Sequence, residues 1–331
     1  MRKIVLAGGS GQVGSLLRRH FVSSGDQVTV LTRSTASGSG FIQWDGRTPG
    51  SWVRELEGAD LVVNLCGRSV NCRYNARNRY AILASRVHAT RVLGEAMARA
   101  ENPPLVWMNA STATIYRHSL DRDMDEQTGE LGGNELDAPE TWRFSIDVAR
   151  NWEEAFADAP VPGTRKIALR SAMTMSPDRG GIFDTLLGLV RGGFGGRQGN
   201  GRQFVSWIHE ADFVAAIEFL LADPSFEGPV NLAAPNPLPN REFMEVLRKA
   251  WGISFGIPST RWMLELGALA LRTETELILK SRRVVPGRLL QAGFAFQFSA
   301  WPAAAEDLVR RWREGATTKH SGALHPVSRL L

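Results

Sequence analysis

The chain has 331 residues, of which 43% are hydrophobic and 22% charged, and its net charge is +5 at neutral pH. These fractions are typical of a globular protein, and no apolar run is long enough to span a bilayer. Its two cysteines, Cys66 and Cys72, and its six histidines show neither zinc-site spacing nor a disulfide framework. The basic residues form no stripe interleaved with aromatics, which argues against a nucleic-acid partner. We therefore expect a cytoplasmic protein with no nucleic-acid or membrane partner.

The N-terminal stretch 3–14, KIVLAGGSGQVG, predicts a strand, a glycine turn and a helix in direct succession. The apolar run at 4–7 is typical of a short buried strand, and apolar residues from Val13 to Phe21 recur at helical spacing. Glycines at such a turn allow a tight bend, close approach of the backbone to a pyrophosphate, and close packing of helix on strand. Free N–H groups and the helix dipole then hold the phosphates. This order is the context that the dinucleotide-binding fingerprint requires, a plain strand-to-helix turn being the alternative.

Strands and helices alternate along the rest of the chain. Further strands are predicted at 27–31, 41–44, 59–65, 105–110, 165–169 and 229–232. Helices are predicted at 52–56, 77–100, 140–157, 183–190, 213–221, 240–251, 260–271 and 302–312. This alternation predicts an α/β fold with a Rossmann-type, doubly wound parallel sheet.

The domain organisation follows from a change of composition near residue 176. We expect a nucleotide-binding Rossmann domain at 1–175, with the last strand and helix of its sheet near 206–232. A smaller C-terminal α/β lobe on the substrate side would comprise 176–205 and 233–313, followed by a tail at 314–331. The glycine-rich segment 180–201 at the entry to this lobe is hypothesised to be a mobile lid.

The end of the second predicted strand bears on the choice of cofactor. An NAD site usually has an acidic residue about 20 residues beyond the glycines, where it holds the ribose 2′-hydroxyl. This chain has Thr32, Arg33 and Ser34 there instead. A cation and hydroxyls suit a 2′-phosphate, so the sequence favours NADP(H), with a solvated surface arginine as the alternative. Asp45 ends the third strand, near the expected position of the adenine.

Several short motifs beyond the glycine turn are similar to those of one known superfamily. They are Asn64-Leu65-Cys66-Gly67, Ser85-Arg86, 111–116 (STATIY), 206–209 (SWIH) with Asp212, 231–237 (NLAAPNP) and 285–294 (VPGRLLQAGF). They resemble the extended short-chain dehydrogenase/reductase superfamily. Within it, they are similar to the atypical epimerase-family oxidoreductases, which are NAD-dependent epimerase/dehydratase-like and have a small C-terminal domain of unknown function. The resemblance extends to about Arg313.

The resemblance implies an NADP(H)-binding fold with a cleft between the sheet and the C-terminal lobe. Carried over position by position, it assigns cofactor contacts to Gly8, Ser10, Gly11, Gln12, Val13, Gly14, Thr32, Arg33, Leu65, Cys66, Gly67, Arg86 and Ser111. Arg33 would bind the 2′-phosphate, and Leu65 and Cys66 would lie on the adenosine side. Thr112 occupies the position of the superfamily's catalytic serine or threonine.

The usual proton donor of the superfamily is missing. Carbonyl reduction needs a positioned hydride and a proton donor, and the superfamily uses a tyrosine followed four residues later by a lysine. None of Tyr74, Tyr80 and Tyr116 has such a lysine, and no lysine occurs between Lys3 and Lys166. The reaction therefore does not follow from the fold and the cofactor alone.

Other residues are candidates to replace this pair. Thr112 is a candidate for a hydrogen bond to a substrate oxygen. Tyr116 is a candidate for the nicotinamide face, and a buried tyrosine that caps the sheet is the equal alternative. Trp207 and His209 are substrate-side candidates, although a histidine in an apolar segment is more often a core residue. Asp212, just before an apolar helix, is interpreted as its N-cap.

Three functional hypotheses remain open. The first is an NADP(H)-dependent oxidoreductase or epimerase-like enzyme for an unknown small-molecule substrate, acting as a monomer or homodimer without a metal. The second is an NADP(H)-binding sensor or regulatory protein without turnover, which the missing tyrosine and lysine would explain. The third, a nucleotide-sugar epimerase, ranks lower because it normally relies on the missing pair.

Overall fold

The computed structural model describes residues 1–34, 38–136, 138–260, 274 and 276–321, with the backbone alone described at 277 and 316–321. The strands in chain order are β1 (Lys3–Ala7), β2 (Gln27–Thr32), β3 (Phe41–Gln43), β4 (Leu61–Asn64), β5 (Val106–Thr112), β6 (Arg165–Ser171), β7 (Met173–Met175), β8 (Phe204–Val205), β9 (Trp207–His209), β10 (Gly228–Leu232) and β11 (Leu238–Pro239). The α-helices are α1 (Gln12–Ser23), α2 (Ala76–Ala98), α3 (Glu140–Ala157), α4 (Ile182–Arg191), α5 (Glu210–Ala222), α6 (Asn240–Trp251), α7 (Glu276–Leu279), α8 (Gly287–Gln291) and α9 (Trp301–Ser321). Short 3₁₀ turns occupy Ser51–Glu55 and Ala113–Ile115.

Seven of the described strands form one parallel sheet in the order β10-β6-β5-β4-β1-β2-β3. Strand order reverses between β1 and β4, which is the topological switch point where ligands of open α/β sheets bind. The carboxyl ends of β1, β2, β4 and β5 meet at the same edge. The doubly wound α/β fold predicted from the sequence is confirmed.

Alternating side chains of the strands bury the sheet on both faces. Ile4 and Leu6 of β1 join a cluster with apolar residues of α1 and α5, whereas Val5 and Ala7 join a second cluster with α2 and α3. Residues on a strand alternate between faces, and a parallel sheet covered on both faces needs apolar residues on each. This explains why the strands read as continuous apolar runs.

The C-terminal elements form a separate hydrophobic cluster. Phe183 of α4, Phe243 of α6 and Trp301 of α9 are fully buried in it. The rings of Phe243 and Trp301 stack with 4.1 Å between centroids, and the Trp301 indole N–H donates to the Phe243 carbonyl at 2.9 Å. This cluster forms the core of a lobe beside the sheet.

Some predicted boundaries differ from the structure. Strand β5 continues to Thr112, so Ser111 and Thr112 belong to the strand itself. Helix α9 runs through Ser321, so it does not end at 312 and enters the segment predicted as a tail. The helix predicted at 260–271 lies, apart from Thr260, outside the described residues.

The N-cap assigned to Asp212 is wrong. Helix α5 begins earlier, at Glu210, and His209 is its N-cap, with Nδ1 accepting from the Ala211 N–H at 3.1 Å. Asp212 lies in the first turn of the helix and accepts from the backbone N–H groups of Gln297 and Phe298 instead. In the part of the chain described, no helix has the length and apolar character needed to cross a membrane.

Candidate functional site

The glycine turn after β1 is held by close contacts that require glycine. Gly8 has a φ of +72° and its N–H donates to the Leu31 carbonyl at 2.8 Å. A Cβ at Gly14 would lie 2.4 Å from Cα of Gly9, so α1 packs directly on the turn. At Gly11, the residue that caps α1, an added Cβ would meet nothing within 4 Å. The N-terminus of α1 therefore faces open space, as an anion site requires.

A cavity of about 440 Å³ opens in front of this turn, at the switch point of the sheet. Its volume lies within the range of about 300–1,000 Å³ usual for ligand pockets. Several predicted cofactor contacts line it together, namely Gly8, Ser10, Gly11, Thr32, Arg33, Leu65, Cys66 and Gly67. The carboxyl ends of β1, β2 and β4 bring these residues to one place, although they are far apart in the sequence.

Two cations lie at the outer end of this cavity. Arg33 and Arg47 both line it and the adjoining groove, together with Trp44 and Asp45. Hydrogen bonds from the backbone and hydroxyl of Thr48 lower the pKa of Asp45 to about 2. Both oxygens of this carboxylate therefore already accept hydrogen bonds from the turn that follows it. Sequence reasoning missed Trp44 and Arg47, because neither belongs to a motif. Their position directly after β3 was the available signal.

Two of the predicted cofactor contacts that do not line the cavity, Gln12 and Val13, have side chains directed elsewhere. The Gln12 side chain points towards Gly181, where an added Cβ would lie 2.2 Å from its amide nitrogen. Val13 packs against the hydrophobic cluster beneath α1. Both side chains therefore connect α1 to the protein interior, and only their backbone belongs to the turn.

Cys66 is placed against the turn but is not a reactive thiol. Its sulfur lies where a Cβ of Gly8 would approach to 2.8 Å, and its backbone N–H donates to Asn64 Oδ1 at 3.1 Å. Burial raises the pKa of the Cys66 thiol to about 12, so the thiol stays protonated. Its role at this edge is packing.

A second cavity, of about 250 Å³, lies between α2, α3 and the end of β5. Its lining is largely apolar, with Val70, Ile82, Phe144, Val148 and Trp152, and includes the polar residues Tyr74, Arg86, Ser111, Thr112, Thr114, Ser145 and Glu276. Sequence reasoning missed Ser145 and Glu276 and gave Tyr74 no role, since these three residues come from distant segments.

Arg86 lies between the two cavities. It lines the second, and a Cβ at Gly67, which lines the first, would lie 2.9 Å from its guanidinium carbon. The guanidinium donates to the carbonyls of Arg68 and Ile82 and lies over the Trp152 ring at 5.0 Å. Burial lowers the pKa of Arg86 to about 10, which still leaves it cationic at neutral pH.

Ser111 and Thr112 line the second cavity from the end of β5, but their side chains differ in availability. The Ser111 hydroxyl donates to Glu153 at 2.5 Å. Thr112 Oγ1 accepts from the Thr114 N–H at 3.1 Å, which leaves its own hydroxyl proton to be donated. Thr112 can therefore hydrogen-bond a ligand oxygen in the cavity.

Tyr116, for which a contact with the nicotinamide face was suggested, lines neither cavity. Its side chain is 1% exposed, and its hydroxyl donates to Asn231 Oδ1 at 2.9 Å and accepts from Arg170 at 3.0 Å. Burial raises the pKa of Tyr116. The alternative of a buried tyrosine against the sheet agrees with these contacts.

Trp207 and His209 are also buried away from the second cavity. Trp207 packs in the C-terminal cluster with 5.0 Å between its ring centroid and that of Trp301. His209 is 1% exposed, stacks on Phe298 and contacts Asp307 through Nε2 at 3.2 Å. Burial lowers the pKa of His209, so it stays neutral and caps α5. The substrate-side hypothesis for both residues is not supported by this placement.

Comparison with known proteins places the chain in a family. Residues 4–137 match the model of the NAD dependent epimerase/dehydratase family, and residues 260–308 match a domain of unknown function, DUF1731. The chain belongs to the epimerase family. In the described residues, no group of three or more histidine, cysteine, aspartate or glutamate side chains could hold a metal ion.

Particular relatives cover almost the entire chain. Epimerase family protein SH2119 of Staphylococcus haemolyticus is 30% identical over 93% of this chain and 99% of its own length. Epimerase family protein SDR39U1 of Bos taurus is 30% identical over 93% of this chain and 99% of its own length. The crystal structure of human epimerase family protein SDR39U1 (isoform 2) with NADPH superposes with a TM-score of 0.81, at 28% identity, over 93% of this chain and 99% of that chain.

Proposed function

We propose that this chain is an NADP(H)-dependent oxidoreductase that acts on a small carbonyl or alcohol compound. The observation that carries the proposal is that two cavities adjoin where Gly67, which lines the first, contacts Arg86, which lines the second. The first has the turn and the cations for a phosphorylated dinucleotide, and the second has hydroxyl groups beside an apolar wall. The similarity to a protein whose structure contains NADPH supports the choice of cofactor.

The residues of the first cavity fit the proposed cofactor by chemistry. Open space in front of Gly11, at the N-terminus of α1, suits a pyrophosphate. Arg33 and Arg47 suit the 2′-phosphate, because guanidinium groups bind phosphate oxygens in a bidentate manner. When bound, the nicotinamide would supply or accept hydride. Thr112 would hold the oxygen of the substrate, and the apolar wall would exclude water.

The size of the second cavity bears on the substrate. Its volume of about 250 Å³ and its apolar residues, among them Phe144 and Trp152, suit a compact molecule. A nucleotide sugar is larger and carries a diphosphate. The described lining therefore favours the oxidoreductase over the nucleotide-sugar epimerase.

A cofactor-binding sensor without turnover is the second candidate. It is favoured by one observation, namely that the face of α3 towards the cavity presents Phe144, Ser145, Val148 and Trp152 rather than a tyrosine and a lysine. Oxidation of NADPH by any compound in a broad panel of carbonyls would decide against it. Tight cofactor binding without turnover across that panel would decide for it.

Calorimetric titration with NADPH and NADH tests the cofactor site. We expect the wild type to bind NADPH more tightly than NADH. Arg33→Ala should weaken NADPH binding by about tenfold or more and leave NADH binding nearly unchanged, since a hydrogen bond to a charged group contributes about 1.5–3 kcal/mol.

Arg54→Ala is the matched control, because Arg54 is exposed and pairs with its neighbour Glu55 outside the cavity. It should leave both affinities unchanged. Equal losses of NADPH and NADH on Arg33→Ala would show that Arg33 does not bind the 2′-phosphate. If the wild type binds neither cofactor, the proposed function is wrong.

A further inference from the structure

Reduction of a carbonyl leaves a negative oxygen that must receive a proton, and the superfamily's donor is absent from α3. A replacement must line the second cavity, carry a proton at neutral pH, and have its conjugate base stabilised nearby. Among the described residues that line this cavity, Tyr74 meets all three requirements.

The Tyr74 ring is fixed in the wall of the second cavity, in the segment just before α2. It is 7% exposed and packs edge-on against Phe144, with 5.0 Å between ring centroids. Its backbone N–H donates to Glu274 at 2.8 Å and its carbonyl accepts from the Arg79 guanidinium at 2.8 Å. The segment is therefore anchored on both sides of the ring.

The Tyr74 hydroxyl belongs to a hydrogen-bonded chain. It is hydrogen-bonded to Ser145 of α3, whose hydroxyl donates to Glu276 at 3.0 Å. Glu276 is 1% exposed and pairs with Arg282 at 2.7 Å. Ser145 thus stands beside the Tyr74 oxygen, where its hydroxyl can turn to donate to a phenolate.

Positive charge near Tyr74 replaces the missing lysine. Arg86 lines the same cavity, and its charge interacts with that of an ionised Tyr74. Arg282 also favours the ionised phenol, whereas Glu276 and Cys72 oppose it. Burial raises the pKa of Tyr74 to about 12, so the phenol carries its proton at neutral pH.

We propose that Tyr74 is the catalytic proton donor of the second cavity, with Ser145 and Arg86 as positioning residues; this inference rests on the proposed function. As hydride, which NADPH would supply when bound, adds to the carbonyl carbon, the phenol O–H bond breaks and an O–H bond forms on the substrate oxygen. The electron pair stays on the Tyr74 oxygen as phenolate, beside Arg86 and the Ser145 hydroxyl. Water returns the proton to Tyr74 after the product leaves. Thr112 hydrogen-bonds the same substrate oxygen.

A donor of this kind must become more acidic when the nicotinamide is oxidised, because the ring then carries a positive charge. The chain has only three tyrosines, so ¹³Cζ-tyrosine NMR can follow each one between pH 8 and 12. We expect the Tyr74 signal to titrate about one to two pH units lower with NADP⁺ than with NADPH, since one unit charge nearby stabilises the phenolate. The two cofactors carry the same phosphates, so their comparison isolates the charge of the ring.

Linkage provides a second readout. Between about pH 9.5 and 12 the affinity for NADP⁺, relative to that for NADPH, should rise with pH by up to about tenfold in the wild type. This rise should vanish in Tyr74→Phe. Tyr80→Phe, which removes an exposed phenol from α2, is the control and should keep it. Ser145→Ala should raise the pKa at which Tyr74 titrates in the NADP⁺ complex, because a hydrogen bond to the phenolate is lost.

The outcomes separate this inference from the proposed function. If calorimetry shows no binding of NADP⁺ or NADPH, the proposed function fails, and the inference fails with it. If both cofactors bind and the Tyr74 signal titrates alike with each, Tyr74 does not face the reacting ring and the inference alone is overturned. A rise in relative affinity that persists in Tyr74→Phe would overturn it equally.

Discussion

At the scale of single residues, a chain of buried polar side chains ties the end of β5 to the neighbouring strands. Glu153 accepts from Ser111 and from Arg170, and Arg170 donates to Tyr116, whose hydroxyl donates to Asn231. Burial opposes the charge of Arg170, but its hydrogen bonds with Glu153 raise its pKa above the ordinary value. Every member has a partner, which is the condition under which a buried network stabilises a fold. The Tyr116 hydroxyl is therefore structural.

Lys280 is a buried cation of a different kind. Its side chain is 1% exposed, and its Nζ donates to the Thr114 carbonyl at 2.7 Å. Burial, followed by the nearby charge of Arg282, lowers the pKa of Lys280 from 10.5 to about 7. Above pH 7 the folded chain therefore holds this lysine largely neutral, whereas the unfolded chain keeps it protonated up to about pH 10.5.

This difference predicts a pH dependence of stability. Between about pH 7 and 10.5 the unfolded state binds the Lys280 proton and the folded state does not, so the free energy of unfolding rises with pH. Lys280→Met lacks this contribution. Measured by urea unfolding, the free energy of unfolding of the wild type, relative to that of Lys280→Met, should increase by on the order of 3–5 kcal/mol from pH 7 to 10.

The control for this titration is Lys249→Met, which removes an exposed lysine that pairs with Glu245 on α6. Its stability difference from the wild type should stay nearly constant over the same range. The lost hydrogen bond to Thr114 adds an offset to Lys280→Met that does not vary with pH. Parallel pH profiles for the wild type and Lys280→Met would contradict a lowered pKa of Lys280.

At the scale of elements, the glycine turn predicts opposite effects at two of its positions. A Cβ at Gly14 would lie 2.4 Å from Gly9, so Gly14→Ala must push α1 away from the turn that follows β1. Such overpacking costs about 1–3 kcal/mol, and urea unfolding should show a loss of this size. A Cβ at Gly11 meets nothing within 4 Å, so Gly11→Ala should keep the stability of the wild type.

Gly11→Ala, which should not change stability, should weaken cofactor binding. Its added methyl group would occupy the space in front of α1, so calorimetry should show weakened NADPH binding at unchanged stability. If Gly11→Ala binds NADPH like the wild type, the pyrophosphate does not approach this position. If Gly14→Ala is as stable as the wild type, the close contact between α1 and the turn does not restrict this residue.

The accuracy of the predicted elements follows from local signals at their ends. The predicted bounds of α3 and α6 agree with the structure, because Pro139 and Pro239 precede them and Gly252, with a φ of +89°, ends α6. The predicted start of α5 and the predicted end of β5 were wrong because polar residues occupy both boundaries. At β5, Ser111 and Thr112 continue the pairing with β6. Local polarity cannot reveal such pairing.

At the scale of the whole molecule, the predictable part of the site is the part that the parallel sheet brings together. Residues directly after β1, β2 and β4 were predictable, because the carboxyl ends of parallel strands share one edge. Of the second cavity, Arg86, Ser111 and Thr112 were named from the sequence. Tyr74, Ser145 and Glu276 were not, because they meet only through tertiary packing of segments far apart in the chain. No local pattern encodes that meeting. Their role as a proton-donating group remains a proposal.

Two carboxylates, one buried and one half-buried, tie the C-terminal segment to α5 and to strand β10. Asp212 of α5 is 1% exposed and accepts from the N–H groups of Gln297 and Phe298 at 2.7 and 2.9 Å. Burial raises the pKa of Asp212, yet both oxygens are satisfied. Glu126 bridges in the same way between the N–H groups of Asn231 and Arg288. Each carboxylate joins backbone groups that are distant from it in sequence.

These contacts predict a specific loss on Asp212→Asn. The amide has one oxygen, so its NH₂ group must face one of the two backbone N–H groups and leave it without an acceptor. An unsatisfied buried donor costs about 1–3 kcal/mol, and urea unfolding should show this loss. Hydrogen exchange should quicken at the amides of Gln297 and Phe298 by about tenfold, because their opening no longer breaks two charge-assisted bonds.

Asp223→Asn provides the matched control on the same helix. Asp223 caps the other end of α5, where its carboxylate is exposed and accepts from the Ser225 N–H at 2.9 Å, so its substitution should leave exchange at 297 and 298 unchanged. Global destabilisation alone would quicken exchange across the sheet as well. A local effect confined to 297 and 298 therefore separates the loss of this tie from general unfolding. Unchanged exchange at both amides in Asp212→Asn would show that Asp212 does not join α5 to the segment before α9.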